Sequence, residues 1–268
     1  AVHGSVKAVN PETTVVAGAI ANYDGEWLSG LWANGGMDYA DAVSFHPYQV
    51  VYGTTEGLAG FYADANTRMT AATGRTVPIW ISELGWTTKT GDVSPYTQGQ
   101  KLIRASTTTF SANVAKYMWY DLIDRHTDPA SHEGNFGIFY RPIAEVAAQP
   151  PKFSAFSQAL LIQQLNGAAY TSTAIMNDTA RSIEFGTGAE TVHVAWAMKG
   201  SGTATYTTTT PITITDPRGK VQEVAPVDGV VNIELSEDPV FVTGVTIPGA
   251  SPDPTAASTL APTPGSTP

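Results

Sequence analysis

Four short apolar runs, each followed by a longer amphipathic stretch, constrain this chain more than any other feature. Thr13 to Ala21, Ala42 to Phe45, Val77 to Ser82 and Ala115 to Leu122 read as strands. Glu26 to Gly35, Leu58 to Thr73, Pro95 to Ala112 and Lys152 to Asn166 read as the helices after them. Strands separated by helices cannot pair as hairpins, so four such units predict a parallel sheet with right-handed crossovers. From about Tyr170 the period changes. Thr191 to Ala197, Ala204 to Thr210, Ile212 to Thr215, Val230 to Leu235 and Val240 to Thr243 alternate with period two. Asp216 to Gly219 (Asp-Pro-Arg-Gly) and Asp228-Gly229 supply turns between them, which predicts a small antiparallel β-domain. Pro248 to Pro268 is Pro, Thr, Ser and Ala with almost no large apolar residue, the composition of a flexible linker or tail. The expected division is therefore 1–168, 169–247 and 248–268.

Composition narrows the function classes. A net charge of −10 argues against nucleic acid or an anionic membrane as partner. The absence of cysteine excludes disulfides and thiolate metal sites. No run approaches the roughly 18 apolar residues of a membrane span, and the N-terminus lacks a signal-peptide layout. An acidic, cysteine-free chain rich in Thr, Ser and Gly fits a secreted bacterial protein, which is the expected location. Phosphate-binding loops, nucleophile elbows and nucleotide fingerprints are absent, so no cofactor is expected. His126, Asp128 and His132 share a loop, but their spacing matches no standard metal site and reads as internal hydrogen bonding.

The chemistry concentrates at the end of the third strand. In VPIWISELGWTT (Val77 to Thr88) an apolar strand runs into Ser82-Glu83 and then Gly85-Trp86. A carboxylate at the C-terminal tip of a buried strand stands where barrel enzymes keep their reacting groups. Trp86 beside it offers the apolar platform that a sugar ring needs. Asn22, Tyr23 and Asp24 close the first strand and would face the same mouth, whereas Glu26 suits a helix start. Asp124 to Gln149 is longer than most connections in compact domains and is a functional candidate, with Asp124 and Glu133 as its carboxylates. The sequon at Asn177 matters only in a host that glycosylates secreted proteins.

Four segments in order, VSFHPY (Val43 to Tyr48), WISELGW (Trp80 to Trp86), YMWYDLID (Tyr117 to Asp124) and EGNFGIF (Glu133 to Phe139), resemble the second half of a clan A (β/α)8 glycoside hydrolase. Family 39 and neighbouring secreted bacterial families are most similar. EDPVFVTG (Glu237 to Gly244) resembles the close of the β-sandwich that follows such barrels. The resemblance spans roughly residues 1 to 247. It implies a half TIM-barrel of four βα units followed by a small antiparallel β-sandwich. It also implies hydrolysis of β-linked glycosides or polysaccharide by a retaining route, with Glu83 as nucleophile. Tyr48 would donate a hydrogen bond to Glu83, and His46 would touch Glu83 or a sugar hydroxyl. Trp119 and Trp86 would be stacking surfaces.

One departure is as informative as the match. The clan's acid/base lies in an Asn-Glu-Pro motif at the fourth strand of the whole barrel. Here Asn10-Pro11-Glu12 has those letters in another order ahead of a strand, and reads as a loop. Glu133 and Asp124 are the local substitutes. A four-stranded parallel sheet also leaves two open edges, so a homodimer that completes the barrel is expected. The alternative is a non-catalytic remnant that binds carbohydrate.

Overall fold

The computed structural model describes residues 2–21, 23–51, 54–112, 114–143, 149–175, 179–186 and 190–245. After helix α1 (Val2–Val9) the chain runs β1 (Val16–Ile20), α2 (Gly25–Leu31), β2 (Ala42–Phe45), α3 (Gly57–Thr73), β3 (Ile79–Leu84), α4 (Pro95–Ser111), β4 (Lys116–Trp119) and α5 (Phe153–Leu165). The four strands lie in the order β1-β2-β3-β4, and every neighbouring pair is parallel. Strand β2 is buried along its whole length, including Ser44, whose hydroxyl contacts that of Ser82 on β3. Its register sets Val43 against Ile79 and Phe45 against Ile81. The first four-unit expectation is met. The tail expected at 248–268 and the sequon's Asn177 lie outside the described residues.

Local chemistry fixes the helix ends. The Asp24 carboxylate accepts from the backbone N–H groups of Glu26 and Trp27 and so caps α2. Ser94 accepts from Thr97 N–H at 3.0 Å, with Pro95 at the first helical position of α4. Gly74 ends α3 in the left-handed conformation at φ 72°, its N–H returning to the Thr70 carbonyl. Along α3, Leu58, Phe61, Tyr62, Ala65 and Met69 form one buried stripe against the sheet. Each large side chain buried this way stabilises by about 1.5–3 kcal/mol.

The second part is antiparallel. Strands β5 (Ala169–Ile175), β6 (Ala180–Gly186), β7 (Thr191–Ala197), β9 (Ile212–Thr215), β10 (Val221–Val224) and β12 (Val240–Thr243) form one sheet in the order β10-β9-β12-β7-β6-β5. Strands β8 (Ser201–Thr207) and β11 (Val230–Ser236) pair separately and cover one of its faces. The turns read from the sequence are present. Gly219 N–H bonds back to the Asp216 carbonyl, and Asp228 and Gly229 both have positive φ between Val227 and Val230, which bond reciprocally.

The centre of the six-stranded sheet, β6, β7 and β12, is buried on both faces, which a period-two reading does not foresee. One face packs Ala195, Ala197 and Val242 against Ala204, Tyr206 and Val231. The other packs Ile183, Phe185, Val194 and Trp196 against Leu102 and Ile103 of α4 and Leu161 and Leu165 of α5. A buried ion pair joins the two parts at the same place. Glu56 Oε1 accepts from Arg104 Nη2 at 2.6 Å and from Trp196 Nε1 at 2.7 Å. Strands β5, β6 and β10 were not foreseen: Thr171, Ser172 and Thr173 fill the middle of β5, and Arg181, Glu184 and Glu223 interrupt the apolar pattern of β6 and β10. In the parallel sheet β1 and β4 are the edges, and Met118 of β4 and Leu122 just after it are exposed.

Candidate active site

Glu83 is the penultimate residue of β3, so the strand delivers its carboxylate to the C-terminal rim of the parallel sheet. Two residues from the end of β2 meet it there. Tyr48, on a single 3-10 turn (Tyr48–Val51), donates its hydroxyl to Glu83 Oε1 at 2.8 Å. His46 Nδ1 stands 3.5 Å from Glu83 Oε2. His46 is itself held from behind, because its Nε2 lies 2.9 Å from Ser82 Oγ, which in turn contacts Ser44 Oγ. A tautomer protonated at Nδ1 aims that proton at Glu83 and leaves Nε2 to accept from Ser82. Burial, then the hydrogen bond and charge of Glu83, push the Tyr48 phenol well above its ordinary range, so it remains a donor at every physiological pH.

A glycine makes this rim possible. A Cβ on Gly85 would run into the Tyr120 carbonyl oxygen, so only glycine lets the segment after β4 approach the end of β3 this closely. Gln98, fully buried on α4, then ties the two segments together. Its amide donates to the Trp86 carbonyl at 2.7 Å and the Phe136 carbonyl at 3.1 Å, and its oxygen accepts from Ser154 of α5.

The result is a cleft of about 330 Å³ whose floor includes Glu83 and Tyr48. This lies at the lower end of the range for small-molecule sites. Trp86, Phe136, Val51 and Ala21 give it apolar wall, and Asp92, His132 and Glu133 give it polar wall. The loop after β4 is ordered by its own hydrogen bonds: Asn135 Nδ2 donates to the carbonyls of Asp128 at 2.8 Å and Ser131 at 2.6 Å. Among the described residues no cluster of three His, Asp or Glu side chains is placed to hold a metal, and no helix is long and apolar enough to cross a membrane.

Of the residues singled out in the sequence, Glu83, Tyr48, His46, Trp86 and Glu133 come together here. Trp119 stands one layer behind, 5.7 Å from Trp86 between ring centroids, and packs toward the α4–α5 core. Asp24 does not join the cleft, because its carboxylate is engaged as the α2 cap. Asp124 does not join it either. It is buried against Lys152 at 2.7 Å and accepts from Gly137 N–H at 2.8 Å. The expected Asn22 lies outside the described residues. Asn10-Pro11-Glu12 is an exposed loop, as read. Sequence reasoning missed Asp92, whose turn (Thr90-Gly91-Asp92) carries no chemical signature, and missed the cleft role of His132.

No family model matches the chain, and no curated protein matches it. Solved structures do match its fold. A family 39 glycoside hydrolase from Bacteroides cellulosilyticus superposes with a TM-score of 0.72 at 20% identity, over 90% of this chain and 52% of that one. A family 30 endoxylanase from Clostridium papyrosolvens gives 0.56 at 12% identity over 89% and 58%. A monomeric β-xylosidase from Caulobacter crescentus gives 0.54 at 13% identity over 90% and 63%. The chain thus spans about half to three fifths of the length of these structures. Its four βα units and antiparallel sheets resemble part of a TIM-barrel glycosidase with its β-domain.

Proposed function

We propose that the chain carries the nucleophile side of a retaining glycoside hydrolase site acting on β-linked glycosides. The observation behind this reading is Glu83 itself: a strand-end carboxylate fixed by Tyr48 and His46 in a cleft that Trp86 and Phe136 make partly apolar. In the proposed reaction a Glu83 oxygen attacks the anomeric carbon as the glycosidic C–O bond breaks, giving a glycosyl ester that water then hydrolyses. Tyr48 holds the carboxylate in one orientation throughout, and His46 steadies its second oxygen. The leaving oxygen needs a proton. Within this chain Glu133 is the candidate donor, because it shares the cleft with Glu83 while Asp124 is consumed by Lys152.

The open edges of β1 and β4 carry the second part of the proposal. Further βα units close the sheet there, and a second copy of the chain is the occupant expected from the sequence. A molar mass that stays at one chain across a thousandfold range of concentration would overturn the dimer. For the reaction, aryl β-glycosides are the substrates of choice, since an activated leaving group needs little acid assistance. The wild type should release phenol, and Glu83→Gln should release none while retaining its circular dichroism spectrum. Turnover that survives in Glu83→Gln would refute the assignment of the nucleophile.

A further inference from the structure

Ser82 and Glu83 are consecutive on β3, yet both reach the same imidazole. Ser82 Oγ lies 2.9 Å from His46 Nε2, and Glu83 Oε2 lies 3.5 Å from His46 Nδ1. Successive side chains of a regular strand point to opposite faces. The pairing of β3 with β4 shifts register between Ile81 and Leu84, across these two residues, and such irregularities re-aim side chains beside active sites. The register of β2 on β3 sets Ser44 against Trp80 and Phe45 against Ile81, and one step further it sets His46 against Ser82. Behind them Ser44 Oγ contacts Ser82 Oγ. Ser44 is buried, and among the described residues its hydroxyl has no other hydrogen-bond partner.

The protons decide which way this chain of contacts runs. The Ser44–Ser82 and Ser82–His46 contacts each hold one proton. If His46 carried a proton on Nε2, that proton and both hydroxyl protons would compete for the two contacts, and one would be left with no acceptor among the described groups. A neutral ring of that form would also turn the Nδ1 lone pair on the Glu83 carboxylate. With Nε2 bare, Ser44 donates to Ser82, Ser82 donates to Nε2, and Nδ1–H donates to Glu83 Oε2. Every proton then has an acceptor, and the chain ends on the charge. We propose that Ser82, oriented by Ser44, is a positioning residue for Glu83: it holds His46 neutral with its proton on Nδ1. That proton fixes one carboxylate oxygen while Tyr48 fixes the other, so the plane of the carboxylate is set before a substrate arrives. The kinetic consequence rests on reading Glu83 as the nucleophile, whereas the tautomer rests on the contacts alone.

The experiment labels the histidine ring nitrogens of the full chain with nitrogen-15 and reads the tautomer of His46 by NMR at neutral pH. Its signals are assigned by their loss in His46→Gln. The wild type, Ser82→Ala, Ser82→Thr and Ser44→Ala are compared, and kcat and KM for an aryl β-glycoside are measured on the same proteins. The wild type should show a neutral ring with its proton on Nδ1. Ser82→Ala should move the ring toward the Nε2–H form or the imidazolium and lower kcat about three- to tenfold with KM little changed. Ser82→Thr keeps the hydroxyl and should restore both. Ser44→Ala should shift the ring the same way to a lesser extent. A wild-type ring protonated on Nε2, alone or together with Nδ1, overturns the proposal whether or not the variants fold. A folded Ser82→Ala with the wild-type tautomer and kcat removes Ser82 from the positioning role, and an unmoved ring in Ser44→Ala removes Ser44. The expected tautomer in a wild type that releases no phenol would overturn the nucleophile reading and leave the tautomer assignment standing.

Discussion

Replacing Lys152 by methionine isolates the electrostatics of the most deeply buried ion pair among the described residues. The Lys152 and Asp124 side chains are 0% and 2% exposed, and Lys152 also donates to Thr88 Oγ1 at 2.7 Å and the Asn135 carbonyl at 3.2 Å. Burial raises the Asp124 carboxyl above its ordinary value despite the pairing, and burial lowers the Lys152 ammonium, so desolvation outweighs attraction on both sides. In Lys152→Met the stranded Asp124 is best accommodated by taking a proton. Starting from an unfolded value of about 3.9, protonation at pH 7 costs about 4 kcal/mol, and at pH 5 only about 1.5 kcal/mol. The sign follows from the direction of the shift. A folded-state carboxyl raised above its unfolded value favours the fold fully below the unfolded value and loses that contribution as pH rises. Urea unfolding should therefore show a loss of about 4 kcal/mol at pH 7 that falls below about 2 kcal/mol at pH 5, above a pH-independent remainder from the Thr88 and Asn135 bonds. The double variant Asp124→Asn, Lys152→Met should recover most of the pH-dependent part. A loss that is the same at both pH values, or below about 1 kcal/mol at pH 7, would refute the reasoning.

Three further outcomes are expected. Tyr48→Phe removes one hydrogen bond to a carboxylate, worth about 1.5–3 kcal/mol, and should lower kcat/KM on aryl glycosides roughly ten- to hundredfold with the melting temperature little changed. Gly85→Ala sets a methyl group into the Tyr120 carbonyl and should cost about 2–4 kcal/mol in urea unfolding. Arg104→Met leaves Glu56 buried without its cation and should cost about 3–5 kcal/mol, whereas substituting both partners should cost much less, which a double-mutant cycle measures.

The parallel units were legible because short, largely apolar strands alternate with longer helical stretches, and α3 carries its stripe at helical spacing. Glu83, His46 and Tyr48 were legible for a related reason. They close strands, and a sheet rim gathers strand ends whatever the loops do. Asp124 was misread because its partner, Lys152, lies 28 residues on, and no local pattern announces that they meet in the interior. Asp24 follows the first strand as read, yet the backbone N–H groups of Glu26 and Trp27 engage its carboxylate as a helix cap. Asp92 and His132 reach the cleft through loop conformation, which periodicity does not encode. The same holds for β6, where Arg181 and Glu184 hide a strand whose Ala180, Ser182, Ile183 and Phe185 are buried.

The two-faced sheet has a consequence for how this protein can be cut and rejoined. An appended module normally meets its neighbour through a linker and can be removed or exchanged as a cassette. Here the face of β6 and β7 that carries Phe185, Val194 and Trp196 is the floor on which α4 and α5 rest. Deleting everything after Leu165 would strip Leu102, Ile103 and Leu161 bare and orphan the Arg104–Glu56 pair beside the turn that bears Tyr48. Recombination has no clean seam between the parallel and the antiparallel parts. A shuffled descendant must inherit α4, α5 and the β-domain as one block, and an engineer seeking a minimal version should trim at β10 before touching β6.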